Sequence, residues 1–373
     1  MKLAFDAKRI FKNRTGLGNY GRMITKALLN LRQDVEMFLC TPSSKGDYQN
    51  IFQEYNNAHI IEPRCKNRVF STIWRLFNEG INCKSDIDIF HGLSQEIPLF
   101  IPKKVKKIVT IHDLIPWRYP HYFSLFDRII YKNKVQFACK SADKIIAISQ
   151  QTASDLIDIL NVPSEKINVI LQSCDDIFRK PISNQDVLDI RQKYSLPERF
   201  IVSVGTIERR KNQVSIVKAM KWLPEDVDIV FLGKKTDYAK EVIEQAQTLK
   251  VTSRIRIIDN AQFSDFPSIY SAAELSVYMS VFEGFGIPIL ESLMMGTPVV
   301  ASGVSSMPEA GGDAALYAEA NNPESIAFQC NKILGNNNFK EDFLPKAVAH
   351  CSKFSPDKIV LQIYNLYEKV ANE

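Results

Sequence analysis

Residues 275–302 read LSVYMSVFEGFGIPILESLMMGTPVVAS, and this stretch decides the fold. It opens on an apolar run, Leu275–Ser280, too short for a helix and bounded by turn residues, which predicts a buried strand. A glycine-rich loop through Glu283 and Gly286 follows. Pro288 suits the first turn of a helix and Gly296 the position just past its end, so Pro288–Met295 is predicted helical. A second apolar run, Pro298–Ser302, resumes the strand pattern. Strand, loop, helix and strand in this order make a crossover unit, and crossover units build parallel sheets.

The same alternation recurs outward in both directions. Downstream of residue 200, strands are predicted at Phe200–Thr206, Asp228–Gly233 and Arg254–Asp259, with helices at Gln213–Met220, Asp237–Leu249 and Asp265–Ala272. Upstream, strands are predicted at Lys2–Asp6, Val35–Cys40, Ile87–His91, Lys107–His112, Lys144–Ser149 and Ile167–Leu171. Helices fit at Leu17–Leu31, Leu125–Lys140 and Gln150–Leu160. One open sheet of that many strands would be unusually wide, and 373 residues exceed one ordinary domain. The chain therefore reads as α/β, with two doubly wound Rossmann-like domains, residues 1–182 and 183–373, facing an interdomain cleft. The polar, turn-rich Gln172–Pro181 marks the junction. The C-terminal helix, residues 355–371, has nothing obvious to close in its own domain and is expected to pack back on the first.

Hydrophobic residues at 45% and charged residues at 24% can build sizeable cores, which excludes a disordered chain. No apolar run approaches the ~18 residues that a membrane span needs. The opening MKLAFDAKRIF places Asp6, Lys8 and Arg9 where a signal peptide would be apolar. Seven scattered cysteines without a C-x-x-C pair argue against a zinc knuckle or redox motif. A cytoplasmic protein is expected. Residues 1–182 hold 27 Lys and Arg against 18 Asp and Glu, a balance of +9, whereas residues 183–373 hold 20 against 24, a balance of −4. Halves of opposite sign suggest different partners.

In open α/β sheets ligands bind beyond the carboxyl ends of the strands, so chemistry is sought just after strands. FIVSVGTIERRKN (200–212) places Arg209, Arg210 and Lys211 after a strand, with Asn212 set to cap the next helix. Such cations suit a diphosphate and would stabilise the charge it gains on leaving. In the opening stretch, Glu283 precedes the helix and Glu291 lies in its first turns. A carboxylate accepts two hydrogen bonds from a vicinal diol, which is what holding a ribose or hexose requires. His112 ends the strand of KKIVTIHD (106–113) and can reach a ligand there; as a lone histidine it also fits a core role.

Gly16-Leu17-Gly18-Asn19-Tyr20-Gly21 spells G-x-G-x-x-G. It begins about ten residues after the first strand, not immediately after it, which argues against a dinucleotide site. What remains is a glycine loop with Lys8, Arg9, Lys12 and Arg14 that can approach an anion, or else a plain cap with solvated charges. Asp86-Ile87-Asp88 and Asp226-Val227-Asp228 spell D-x-D. Their apolar residues follow the aspartates, so both pairs open strands and a metal role is not supported.

With these residues in hand, the sequence resembles the retaining GT-B glycosyltransferases of family 4, the group 1 transferases. Glu283 and Glu291 match that family's E-x7-E signature. GTPVVASGVSSMPEAGGDAALY fits the continuation, VGTIERRKN resembles the family's diphosphate segment, and VTIHDLIPWRYP resembles the segment carrying its active-site histidine. The resemblance implies transfer of a hexose from a nucleotide diphosphate sugar to a hydroxyl with retention; the placement of both D-x-D pairs predicts metal independence, and no cofactor is expected. It implies that Glu283 holds the transferred sugar, Glu291 the ribose, Arg210 and Lys211 the diphosphate, and that His112 contacts the donor near the reacting carbon. Gly16 and Gly18, Thr206, Arg209, Asn260, and Gly284, Phe285, Gly286 and Ile287 complete the expected donor contacts. Thr206 stands where many relatives carry Arg, so the choice between Arg209 and Arg210 stays open. The segment around His112 resembles mannosyl transferases for surface polysaccharides, which favours GDP-mannose. A glycan or lipid-linked acceptor is expected, and no nucleic acid. A nucleotide-sugar epimerase and a non-catalytic nucleotide-sugar-binding protein are the alternatives.

One further expectation concerns an anionic membrane surface. Lys66–Phe77 carries Val69, Phe70, Ile73, Trp74 and Phe77 at helical spacing among Arg64, Lys66, Arg68 and Arg75. With Lys103, Lys104, Lys106 and Lys107 nearby, it is the candidate for an interfacial helix that would place the enzyme at the inner face of the membrane. Packing of the same stripe on the domain's own sheet is the competing reading.

Overall fold

A computed structural model describes residues 1–13, 15–64, 67, 70, 73–75, 86–336 and 338–373. The chain forms two compact units, Met1–Asp175 with Phe354–Glu373, and Asp176–Lys353.

In the first unit the strands are β1 (Lys2–Asp6), β2 (Glu36–Cys40), β3 (Ala58–Ile61), β4 (Ile89–Gly92), β5 (Lys106–Ile111), β6 (Lys144–Ala147) and β7 (Ile167–Val169). They form one sheet in the order β3-β2-β1-β4-β5-β6-β7, every neighbouring pair parallel. In register, Leu3 of β1 faces Met37 of β2 and Ile89 of β4. The second unit repeats the plan with β8 (Phe200–Val204), β9 (Asp228–Leu232), β10 (Ile255–Ile258), β11 (Leu275–Tyr278), β12 (Val299–Ser302) and β13 (Leu316–Ala318). Their order is β10-β9-β8-β11-β12-β13, again all parallel. Both units are Rossmann-like. Each sheet reverses direction of winding beside its first strand, at β1/β4 and at β8/β11, and that is where such sheets bind ligands.

The central strands are buried on both faces, which explains their unbroken apolar runs. On one face of the first sheet, helix Gly16–Leu31 and the C-terminal helix Pro356–Asn372 share a core of Phe5, Ile24, Leu28, Ile363 and Tyr367. Helices Leu125–Ser141 and Gln150–Leu160 cover the other face. The C-terminal helix is amphipathic, its Ile359, Val360, Ile363, Tyr364, Tyr367 and Val370 all buried, and Ser355 caps its start by accepting from the Lys358 amide at 3.3 Å. Its Tyr367 hydroxyl meets His91 Nδ1 at 2.5 Å, and His91 Nε2 meets the Thr110 hydroxyl at 2.8 Å. The last helix thus completes the first unit's interior. The junction falls at Asp175, at the polar stretch but earlier than residue 182.

Several sequence expectations are corrected. The G-x-G-x-x-G is not a loop: all three glycines lie in helix Gly16–Leu31, and Gly16 opens it. A Cβ on Gly18 would meet the Asn13 carbonyl at 2.1 Å and the Arg9 carbonyl at 3.0 Å, so glycine there lets Arg9–Asn13 approach the helix start. Arg22, buried on the same helix, donates to the carbonyls of Ile10 (2.7 Å) and Asn13 (2.8 Å) and holds that fold. The expected membrane stripe divides, with Phe70 and Ile73 exposed and Trp74 not. Trp74 is buried with Ala4, Phe38 and Phe90, so it belongs to the core. Lys66, Arg68, Val69 and Phe77 lie outside the described residues, as does Arg14. Edge strands β3 and β13 and helices Pro323–Leu334 and Phe339–Cys351 add to the expected elements. Among the described residues no helix is long and apolar enough to cross a membrane.

Candidate active site

The second unit concentrates its buried charge at the carboxyl ends of β8 and β11. After β8, Gly205 adopts a φ of 134°, and Gly233 lies so close that a Cβ on it would meet the Gly205 carbonyl at 2.2 Å. The chain leaves through Thr206, whose carbonyl accepts from the Gln213 side chain at 3.1 Å, into a single tight turn, Arg209–Lys211. Asn212 stands before helix Gln213–Ala219 in a left-handed conformation (φ 57°) but does not cap it; its amide donates to the Ala320 carbonyl at 2.6 Å instead.

The three cations of the turn separate. Arg209 points outward to Glu241 at 2.5 Å and is 63% exposed. Arg210 and Lys211 turn inward to Glu283 Oε1, at 2.5 Å and 2.6 Å. Ser280 Oγ donates to the same oxygen at 2.7 Å, and Lys211 Nζ also donates to the Tyr278 hydroxyl. Arg210 is steadied by the Phe282 carbonyl at 3.0 Å and by Glu208 at 2.6 Å. Burial alone would raise the Glu283 carboxyl, but Arg210 and Lys211 outweigh it and hold the group down at about 2. Glu283 is therefore ionised in a polar nest of near-zero net charge. Its backbone is pinned too, with Ser305 and Ser306 hydroxyls donating to its carbonyl at 2.7 Å and 2.9 Å.

Beyond Glu283 the loop is buried through Gly284 and Phe285 to Gly286, whose φ of 107° favours glycine. Half-buried Ile287 then starts helix Ile287–Met294. One turn in, Glu291 is only 5% exposed, and its Oε2 accepts from the Tyr270 hydroxyl at 3.1 Å. Asn260 is exposed just past β10, beside the Lys235–Asp259 pair at 3.2 Å. Segments far apart in sequence, 205–212 and 278–291, thus meet at the winding reversal of one sheet.

In the first unit His112 follows β5 and is buried. Its Nε2 lies 2.9 Å from the Leu93 carbonyl and its Nδ1 2.9 Å from the Gln172 amide nitrogen. A carbonyl only accepts, so Nε2 carries the proton and Nδ1 accepts from Gln172. Tyr20 packs edge-on against the ring at 4.9 Å between centroids. Burial lowers the imidazole to about 4, so it is neutral near pH 7. The basic loop expected to meet an anion is partly spent within the domain: Lys8 pairs with Glu96 at 2.7 Å, which also takes Arg75 at 2.9 Å. Gly16 is exposed, and Gly18 is buried under Asn13.

Both D-x-D pairs sit at the amino ends of strands, away from these ends. Asp88 accepts from the Lys2 amide at 2.8 Å, and Asp226 pairs with Arg199. Among the described residues no group of three or more His, Cys, Asp or Glu could hold a metal ion. Tyr270, Tyr278, Ser280, Ser305 and Gln172 were not legible as site residues. They are common polar side chains whose only signal is spatial.

The sequence model described as "Glycosyl transferases group 1" matches residues 186–349, and that of "Glycosyltransferase Family 4" matches residues 14–175. The chain belongs to the group 1 glycosyltransferases. This glycosyltransferase is 27% identical over 388 residues to the O-antigen chain mannosyltransferase B of Escherichia coli, covering 99% of this chain and 100% of that one. It is 24% identical over 327 residues to the O-antigen chain mannosyltransferase RfbU of Salmonella typhimurium, covering 86% and 87%. Among solved structures, Anabaena HepE in complex with UDP and glucose superposes with a TM-score of 0.76 over 99% of this chain and 100% of that one, at 19% identity. That likeness places the fold among GT-B glycosyltransferases.

Proposed function

We propose that this glycosyltransferase moves a mannose from a nucleotide diphosphate sugar, GDP-mannose in first place, to a hydroxyl of a glycan or lipid-linked acceptor during surface polysaccharide synthesis, with retention at the anomeric carbon. The observation that carries the proposal is the Arg210–Lys211–Glu283 cluster at the winding reversal of the second sheet. The mannose assignment is supported by the two O-antigen mannosyltransferases it resembles along most of their length.

In this reading Arg210 and Lys211 bind the donor diphosphate. As the bond from the anomeric carbon to the diphosphate oxygen breaks, its electron pair stays on that oxygen, and the two cations offset the new charge. The acceptor oxygen bonds the anomeric carbon and passes its proton to the departing diphosphate oxygen. Glu283, fixed by its backbone and by Ser280, takes hydroxyls of the sugar, and Glu291 takes the ribose diol. Arg209, turned out to Glu241, has no part in holding the diphosphate. His112, neutral and with both ring nitrogens engaged, serves polar recognition of the donor and not proton transfer. No metal or cofactor is assigned a step, because the cations already fill that electrostatic role.

The test is turnover of GDP-mannose, UDP-glucose and dTDP-glucose by the purified protein, with and without acceptor extract and with excess EDTA. Release of GDP from GDP-mannose, undiminished by EDTA, is expected, along with an α-glycoside from an α-linked donor by NMR. Loss of turnover in EDTA and its restoration by manganese would overturn metal independence. Epimerised donor without nucleotide release would overturn transfer.

A further inference from the structure

Helix Leu125–Ser141 carries apolar residues on its outside. Its buried residues, Val135, Ala138 and Cys139, all lie in its second half. In its first half Leu125, Phe126, Ile129 and Ile130 are exposed, Phe126 to 73% and Leu125 to 62%. Helix faces repeat every three to four residues, so Phe126, Ile130, Asn133 and Phe137 form one row about 16 Å long. The far end of that row, Asn133, Lys134 and Phe137, lines a cavity of about 300 Å³ together with Ile97, Pro98 and Leu99. Leu99 and the adjoining Phe100 are themselves 48% and 54% exposed. An apolar strip therefore runs from Phe126, past the cavity, to Phe100. Exposed apolar area of this kind on a soluble domain marks an interaction site.

Its border is basic. Arg128 and Lys132 lie along the helix and exposed Lys103 and Lys104 follow Phe100, while Lys134 pairs with Glu96 of the cavity lining at 3.3 Å. The one acidic residue in the helix's first half, Asp127, is occupied at the helix start, where it accepts from Ser124 Oγ at 2.6 Å. Apolar side chains edged with cations complement a bilayer interface with anionic headgroups. A second copy of the chain is a poorer occupant, because a twofold contact would set the same cations against each other.

We propose that this face, Leu125–Phe137 with Leu99–Lys104, docks the first domain on an anionic lipid bilayer. It is separate from the segment around Trp74, where Trp74 is core but Phe70 and Ile73 are exposed. The proposal rests on surface chemistry and is independent of the transfer reading.

The test is co-sedimentation of the full chain with phosphatidylglycerol–phosphatidylcholine vesicles and with phosphatidylcholine vesicles. At least about tenfold greater partitioning to the anionic vesicles is expected, falling as salt rises. The double change Phe126→Ser with Ile130→Ser should abolish binding to both vesicles. Lys103→Glu with Lys104→Glu should lower binding to anionic vesicles by at least about 25-fold, since each cation contributes roughly fivefold near such a surface. Melting temperature and GDP-mannose turnover should stay as in wild type for both variants. Equal recovery on the two vesicle types would overturn the proposal, as would undiminished binding by the Phe126/Ile130 variant. Self-association that this variant abolishes, without vesicle binding by wild type, would assign the face to a second copy.

Discussion

Replacing Glu283 with glutamine should tighten the binding of a nucleoside diphosphate while abolishing transfer. The carboxylate lies 2.5 Å from Arg210 and 2.6 Å from Lys211, so it occupies the cations that the diphosphate is proposed to use. It also adds a negative charge beside the incoming phosphates. At about 5 Å and an effective dielectric near 20, one such charge repels another by roughly 3 kcal/mol. Screening at the partly open site reduces this, and a gain of about 5- to 100-fold in affinity for GDP or UDP is expected. The same change leaves Lys211 without a carboxylate and Arg210 with Glu208 alone, and breaking a buried pair costs about 3–5 kcal/mol. The nucleotide-free variant should therefore melt well below wild type and recover more than wild type when nucleotide is added. Calorimetric titration with GDP and UDP, melts with and without nucleotide, and turnover together read all three effects. If Glu283→Gln binds nucleotide no better than wild type, Arg210 and Lys211 are not the diphosphate's partners and the reasoning fails.

Two further outcomes are expected. Glu291→Ala should weaken nucleoside diphosphate binding by about 10- to 150-fold, the loss of a charge-assisted hydrogen bond pair of roughly 1.5–3 kcal/mol. Wild type should discriminate against a 2′,3′-dideoxy nucleotide and the variant should not; equal discrimination by both would remove Glu291 from the ribose. Stability should also fall in mild acid. Burial lowers His91 to about 3 and His112 to about 4, so the folded state refuses protons that the unfolded chain accepts below about 6.5. Their stabilising contribution is whole above that pH and declines as pH falls towards about 4, at about 2.7 kcal/mol per pH unit for the pair. Urea unfolding should approach that slope between about pH 6 and 5, and a flat profile there would contradict it.

The sequence carried the architecture because central parallel strands need uninterrupted apolar runs. β1 and β9 were legible almost to the residue. β3 and β13 were not. Both are short edge strands, β3 with no fully buried residue, so neither needs an apolar run. Glu283, Glu291, Arg210 and Lys211 were legible because chemistry, loop glycines and a helix start coincide in a few residues. The separation of Arg209 from Arg210 was not, since the direction of each side chain depends on Glu241 and Glu283, partners remote in sequence. The glycine motif misled for a physical reason. Glycine serves a loop packed on a helix as readily as a loop around a ligand, and only the Asn13 carbonyl over Gly18 distinguishes the two. The aromatic spacing at Trp74 was a true amphipathic signal, but spacing does not say whether water or the domain's own sheet receives the stripe.

The helix at Pro356–Asn372 closes the interior of the first unit, yet it is translated after the whole of the second. As the chain leaves the ribosome, the first sheet must therefore wait, with the apolar faces of Phe5, Ile24 and Leu28 uncovered, while more than a hundred intervening residues are made. The second unit, contiguous in sequence, is under no such delay. Biogenesis thus runs against the order of the genetic message: the domain begun first is finished last. A nascent chain stalled before residue 356 would hold a folded second unit and an unsealed first one, the kind of exposed intermediate that chaperones capture.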